Sequence, residues 1–67
     1  MIEVNVNGAA QQCEADTNVC ALLERLQLAG KRVAVERNGE IVPRSRFAQT
    51  PLAEGDRLEI VVAVGGG

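Results

Sequence analysis

Residues 16–32, DTNVCALLERLQLAGKR, decide how this chain is read. Within them Val19, Leu22, Leu23 and Leu26 recur at i, i+3, i+4 and i+7, an apolar stripe of helical period, while Glu24, Arg25 and Gln27 take the other face. Asp16 and Thr17 precede the stripe with short oxygen-bearing side chains that accept hydrogen bonds from the first free amides of a helix, so they are the expected cap. Gly30 follows it, supplying the left-handed conformation common just past a helix end, with Lys31 and Arg32 beside the negative end of the dipole.

The period changes to two on both sides of this helix. Before it, Ile2, Val4 and Val6 alternate with Glu3, Asn5 and Asn7, and Asn7-Gly8 signals a tight turn that returns through Ala10-Gln11-Gln12-Cys13-Glu14. After it, Val33 and Val35 alternate with Ala34 and Glu36, and Asn38-Gly39 starts a second hairpin returning through Glu40-Ile41-Val42. Pro43 removes an amide donor and predicts an irregular stretch over residues 44–48, with at most one helical turn before Thr50-Pro51 and with Phe47 as a core anchor. Gly55-Asp56 marks a further turn. Leu58, Ile60, Val62 and Val64 then alternate with Glu59, Val61 and Ala63 in a final strand.

Hairpin, helix, hairpin, irregular crossover and last strand make an α+β chain. The expected architecture is a mixed sheet of four to five strands packed on one main helix, with the last strand parallel beside the first: the β-grasp, or ubiquitin-like, arrangement. The 67 residues allow one domain, expected over residues 1–64, followed by a flexible glycine tail at 65–67.

Composition narrows the chemistry. Histidine, the usual general base and metal ligand near neutral pH, is absent, which shifts the expectation away from an enzyme. A formal charge of −2 argues against phosphate-backbone binding, so no nucleic acid is expected as a partner. No apolar run approaches the roughly 20 residues of a membrane span and the start of the chain does not read as a signal peptide. A cytoplasmic protein is therefore expected, with Cys13 and Cys20 as two small buried free thiols.

Gly65-Gly66-Gly67 is the candidate chemical site. Three glycines lose more backbone entropy on ordering than any other residues and add no packing. A tail without side chains can, however, thread into a channel too narrow for a Cβ and carry a terminal carboxylate into another protein. An α-carboxylate, with an ordinary pKa of about 3.3–3.7, is ionised at neutral pH and is a poor electrophile. It needs activation, for which an acyl anhydride with AMP supplies the leaving group and a sulfur nucleophile the displacement. The chain has no GxxxxGK[ST] loop to bind ATP, so a partner must activate it.

The stretch Val35-Glu36-Arg37-Asn38-Gly39-Glu40-Ile41-Val42-Pro43-Arg44, the Phe47-Ala48-Gln49 segment, the Glu54-Gly55-Asp56 turn and the Val64-Gly65-Gly66-Gly67 end together resemble the ThiS sulfur carriers of thiamine biosynthesis. The resemblance covers essentially the whole chain. The family's diglycine maps onto Gly66-Gly67, with Gly65 an additional glycine. It implies that a ThiF-like adenylating enzyme, using ATP and Mg²⁺, activates the carboxylate of Gly67. Sulfur drawn from cysteine through a desulfurase then converts it to a thiocarboxylate, and a ThiG-like thiazole synthase takes the sulfur into the thiazole ring. On this reading the chain binds no cofactor itself and is a recycled co-substrate.

Two partners must recognise one small body, so a less polar surface is expected beside the tail. Val61 and Ala63 point outward if Leu58, Ile60 and Val62 face the helix, and Ala34 joins them from the neighbouring strand. Arg44 and Arg46 are expected to be solvated. Two other readings remain open: the small subunit of molybdopterin synthase, also a sulfur carrier, and a binding-only ubiquitin-like module whose tail is never activated.

Overall fold

The computed structural model describes residues 1–63. The expected glycine tail at 65–67, and the domain boundary before it, lie outside the described residues.

Five strands, one α-helix and one 3₁₀ segment follow in the expected order. They are β1 (Ile2–Val6), β2 (Ala9–Cys13), α1 (Val19–Arg25), β3 (Val33–Arg37), β4 (Glu40–Val42), a 3₁₀ segment (Arg44–Gln49) and β5 (Arg57–Val62). The sheet order is β2-β1-β5-β3-β4, so the last strand lies in the middle, parallel to β1 and antiparallel to β3. This is the mixed β-grasp sheet the alternation predicts. Both hairpins turn through an Asn-Gly pair with positive φ at each residue, 53° and 88° at Asn7-Gly8 and 53° and 86° at Asn38-Gly39. That combination matches the right-handed twist of the flanking strands, and few other residue pairs adopt it without strain.

One face of the sheet closes on α1. Val4 and Val6 from β1, Leu58 and Ile60 from β5 and Val35 from β3 pack with Val19, Leu22 and Leu23 of the helix. Burying a side chain such as Leu22 contributes about 1.5–3 kcal/mol, which makes this aliphatic cluster the main stabilising element.

The helix ends differ from the sequence expectation. Asn18, not Asp16 or Thr17, is the N-cap: its backbone is extended and its Oδ1 accepts from Ala21 N at 2.8 Å. Asn18 wins because it also holds the crossover, donating through Nδ2 to Ala48 O at 3.1 Å, while Thr17 is engaged one step earlier through Leu52 N–H donating to its carbonyl. At the other end the helix stops at Arg25, not at Gly30. Leu28 N donates to Leu23 O at 2.8 Å and Gln27 N donates to Glu24 O at 3.0 Å, the paired bonds of a Schellman stop. Gln27 takes the left-handed position usually given to glycine, with φ of 62°, and Gly30 serves a second turn further on.

Three smaller expectations also shift. The residues after Pro43 form a six-residue 3₁₀ segment, more than the single turn expected, held at its end by Thr50 Oγ1 donating to Arg46 O at 2.7 Å. Phe47 is half-buried, packed against the edge of the core from a 3₁₀ segment that lies against α1. Val62 shares the inward register of Leu58 and Ile60 but is 40% exposed. Among the described residues, no helix is long and apolar enough to cross a membrane.

Candidate functional site

The proposed reactive end follows β5, so the geometry of β5 determines what the body of the protein offers to a partner. Its start is fixed by a buried carboxylate. Asp56 is 5% exposed, and its Oδ2 accepts from Arg37 Nε at 2.8 Å and from Ala53 N at 2.8 Å, while its Oδ1 accepts from Asn38 Nδ2 at 3.0 Å. Asn38 Oδ1 in turn accepts from Arg57 N at 2.9 Å. Desolvation pushes the Asp56 pKa up, but hydrogen bonds from Arg37, Asn38 and Ala53, with the Arg37 charge, outweigh it and hold the carboxyl below its ordinary value. The second hairpin and the start of β5 are thereby locked together.

On the other side of β5, Asn7 substitutes for a strand. β1 pairs with β5 only through Asn5↔Arg57 and Val6↔Leu58, and the chain then turns away. The Asn7 side chain continues the pairing: Oδ1 accepts from Ile60 N at 2.8 Å and Nδ2 donates to Ile60 O at 3.0 Å. Sequence reading found Asn7 as a turn residue and missed this second role, because the bond spans 53 positions and no local pattern encodes it.

The end of β5 carries the expected surface residues. Val61 is 64% exposed and is the register partner of Ala34, also exposed, so the sheet brings these two together on the face away from the helix. Ala63 is exposed two positions on, and its N–H donates to Arg32 O at 2.8 Å. Ile41 adds a residue that was not expected on this surface. It is 66% exposed and pairs with Glu36, which itself lies opposite Glu59, so aliphatic and acidic groups share this face. The alternation in Glu40-Ile41-Val42, with Val42 inward, was the signal for it. Gly65, Gly66 and Gly67 lie outside the described residues.

Elsewhere, Cys13 is buried, whereas Cys20 is only partly so, a correction to the expectation of two buried thiols; both are free. Cys20 lines a groove of about 260 Å³ together with Leu28, Phe47, Lys31 and Arg44. Arg44 and Arg46 are exposed, as expected, and the ion pair of Arg37 with Asp56 is the only one among the described residues. No group of three or more His, Cys, Asp or Glu able to hold a metal occurs among the described residues.

The ThiS family model matches residues 4–67, from the first strand through the terminal glycines. This chain belongs to the ThiS family. It is 40% identical over 65 residues to a sulfur carrier protein ThiS of Bacillus subtilis, covering 96% of this chain and 98% of that one. The crystal structure of a thiamine biosynthesis protein (ThiS) from Geobacter metallireducens superimposes with a TM-score of 0.82 at 35% identity, covering 98% of this chain and all of that one. A thiazole synthase of Paramagnetospirillum magneticum is 48% identical over 62 residues, 92% of this chain but 19% of its own length. The chain thus spans about a fifth of that relative.

Proposed function

We propose that this chain is a sulfur carrier of thiamine biosynthesis whose charged group is the carboxylate of Gly67. The observation that carries this reading is the family match, which runs through the terminal glycines. The likeness over nearly its whole length to a sulfur carrier protein ThiS supports it further.

The chemistry follows from the terminus. A carboxylate oxygen of Gly67 attacks the α-phosphorus of ATP, held with Mg²⁺ by a ThiF-like adenylating enzyme, and pyrophosphate leaves. A sulfur nucleophile, supplied from cysteine through a desulfurase, attacks the acyl carbon and AMP leaves with the bonding pair. With a persulfide as that nucleophile the product is an acyl disulfide; a thiol attacks the donor's sulfur, the S–S bond breaks with its pair going to the acyl sulfur, and a disulfide is left on the donor. The thiocarboxylate so released is itself a nucleophile and passes its sulfur to a thiazole synthase. The sequence shared with proteins named thiazole synthase supports that enzyme as the acceptor. The chain is consumed and regenerated as a co-substrate, with the β-grasp body as a handle, and works in the cytoplasm. Ala34, Val61 and Ala63 form the apolar surface next to the tail that the partners grip.

The test is direct. Incubation with the adenylating enzyme, ATP, Mg²⁺ and a sulfur source gives a mass increase equal to exchange of one oxygen for sulfur, localised to Gly67. Deleting Gly67 abolishes the transfer and leaves the fold intact. An unchanged mass with an enzyme active on another carrier, or a shortened chain that still delivers sulfur, overturns the proposal.

A further inference from the structure

The backbone groups of β5 alternate between its two neighbours. Odd positions serve β3: Asn38 N donates to Arg57 O at 2.7 Å and Ala63 N donates to Arg32 O at 2.8 Å, with Glu59 and Val61 in the same phase between them. Even positions face the other way. Asn5 N donates to Asp56 O at 2.8 Å, Asn7 N donates to Leu58 O at 2.9 Å, and the Asn7 side chain takes both groups of Ile60. Val62 is the next even position. β1 ends at Val6, so no described strand runs beside Val62 on that side, and its N–H and C=O form an open edge.

A second observation falls on the same spot. Val61 and Val62, 64% and 40% exposed, lie on opposite faces of the strand and are two of the four large hydrophobic residues exposed among the described residues. A β-branched strand end, apolar on both faces and open along one edge, invites pairing with another chain unless it is protected, and no charge or proline protects it here.

We infer that the open edge at Val62 is a strand-pairing site, along which the enzyme that charges Gly67 lays an extended segment of its own, apolar on both faces. The inference rests on the carrier reading. The reach of the chain places the occupant here: residues 64–67 cover at most about 13–14 Å when extended, so the enzyme that holds the Gly67 carboxylate for charging must lie close against Val62.

The structure supplies a selective probe. The Val62 N–H has no partner within β1 or β3, so Val62→Pro removes a donor from the open side, where an edge tolerates proline, and leaves the β3 ladder intact. Replacing the Val61–Val62 amide by an ester removes the same donor and keeps the side chain. Both proteins are expected to fold, and kcat/KM for ATP-dependent charging is expected to fall roughly five- to tenfold, the worth of one hydrogen bond. Val62→Ala, which keeps the N–H, should lose less than the ester. Charging of the ester protein at the wild-type rate overturns the inference alone; a wild-type chain that is never charged overturns the carrier reading with it. A wild-type dimer that Val62→Pro dissociates reassigns the edge to a second copy of this chain and overturns the enzyme as its occupant.

Discussion

Replacing Asp56 by asparagine tests how the start of β5 is held. The substitution keeps the shape of the side chain and removes its charge and one of its two acceptor oxygens. Asp56 receives three donors, Arg37 Nε and Ala53 N on Oδ2 and Asn38 Nδ2 on Oδ1. Whichever way the new amide is turned, its NH₂ meets a donor. Leaving a buried donor unpaired costs about 1–3 kcal/mol. The lost charge assistance from Arg37 adds about 1 kcal/mol, taken at the low end because that side chain is 33% exposed and partly screened. The expected loss is therefore about 2–4 kcal/mol, a large part of the ~3–10 kcal/mol available to a chain of this size. The melting temperature should fall by roughly 10–25 °C. With no Trp or Tyr in the chain, urea and thermal unfolding are best followed by far-ultraviolet circular dichroism. Acid gives a second readout. Because the folded pKa of Asp56 is held below its ordinary value, its contribution is present above about pH 4 and is lost as pH falls through the depressed value. The wild type should lose stability on acidification more steeply than Asp56→Asn, and the gap between them should close. A variant within 0.5 kcal/mol of wild type at pH 7 would refute this account.

The helix ends give two predictions of opposite sign. Gln27→Gly should stabilise the protein by up to about 1 kcal/mol, because glycine adopts the left-handed stop without the clash a Cβ brings there; urea unfolding with an unchanged m-value is the check. Asn18→Ala should destabilise by about 1–2 kcal/mol, since it removes the cap to Ala21 N and the tether to Ala48 O, and amide exchange should quicken in both α1 and the 3₁₀ segment. Faster exchange in the helix alone would show that the tether does not couple them.

The order of the elements was legible because each rests on a local period: alternation for β1, β3 and β5, the spacing of Val19, Leu22 and Leu23 for the helix, and Asn-Gly for both hairpins. What escaped is non-local. Asn7 and Asn38 were read as turn residues, yet their side chains bond to Ile60, Asp56 and Arg57, and those bonds exist only once distant strands are in register. Gly30 drew the expected helix end five residues past Arg25 because glycine is the ordinary stop, while the actual stop uses a glutamine whose strain the surrounding bonds offset. The exposed end of β5 is partly legible for the same reason as the strands are: alternation places Val61 outward, but nothing local reveals that β1 ends before Val62.

β5 is consequently asymmetric along its length. At its start, Asn5, Asn38 and the Asp56 cluster bond it from both sides, and at Ile60 the Asn7 side chain still completes the pairing. At Val62 and Ala63 the β3 side alone remains, through Ala63 N to Arg32 O. On the carrier reading, a strand secured at its start and half-paired at its end gives the charging enzyme a firm body to hold. Loosening the start, as Asp56→Asn does, should therefore impair charging beyond what the loss of folded protein explains, even though Asp56 lies at the opposite end of the strand from Val62.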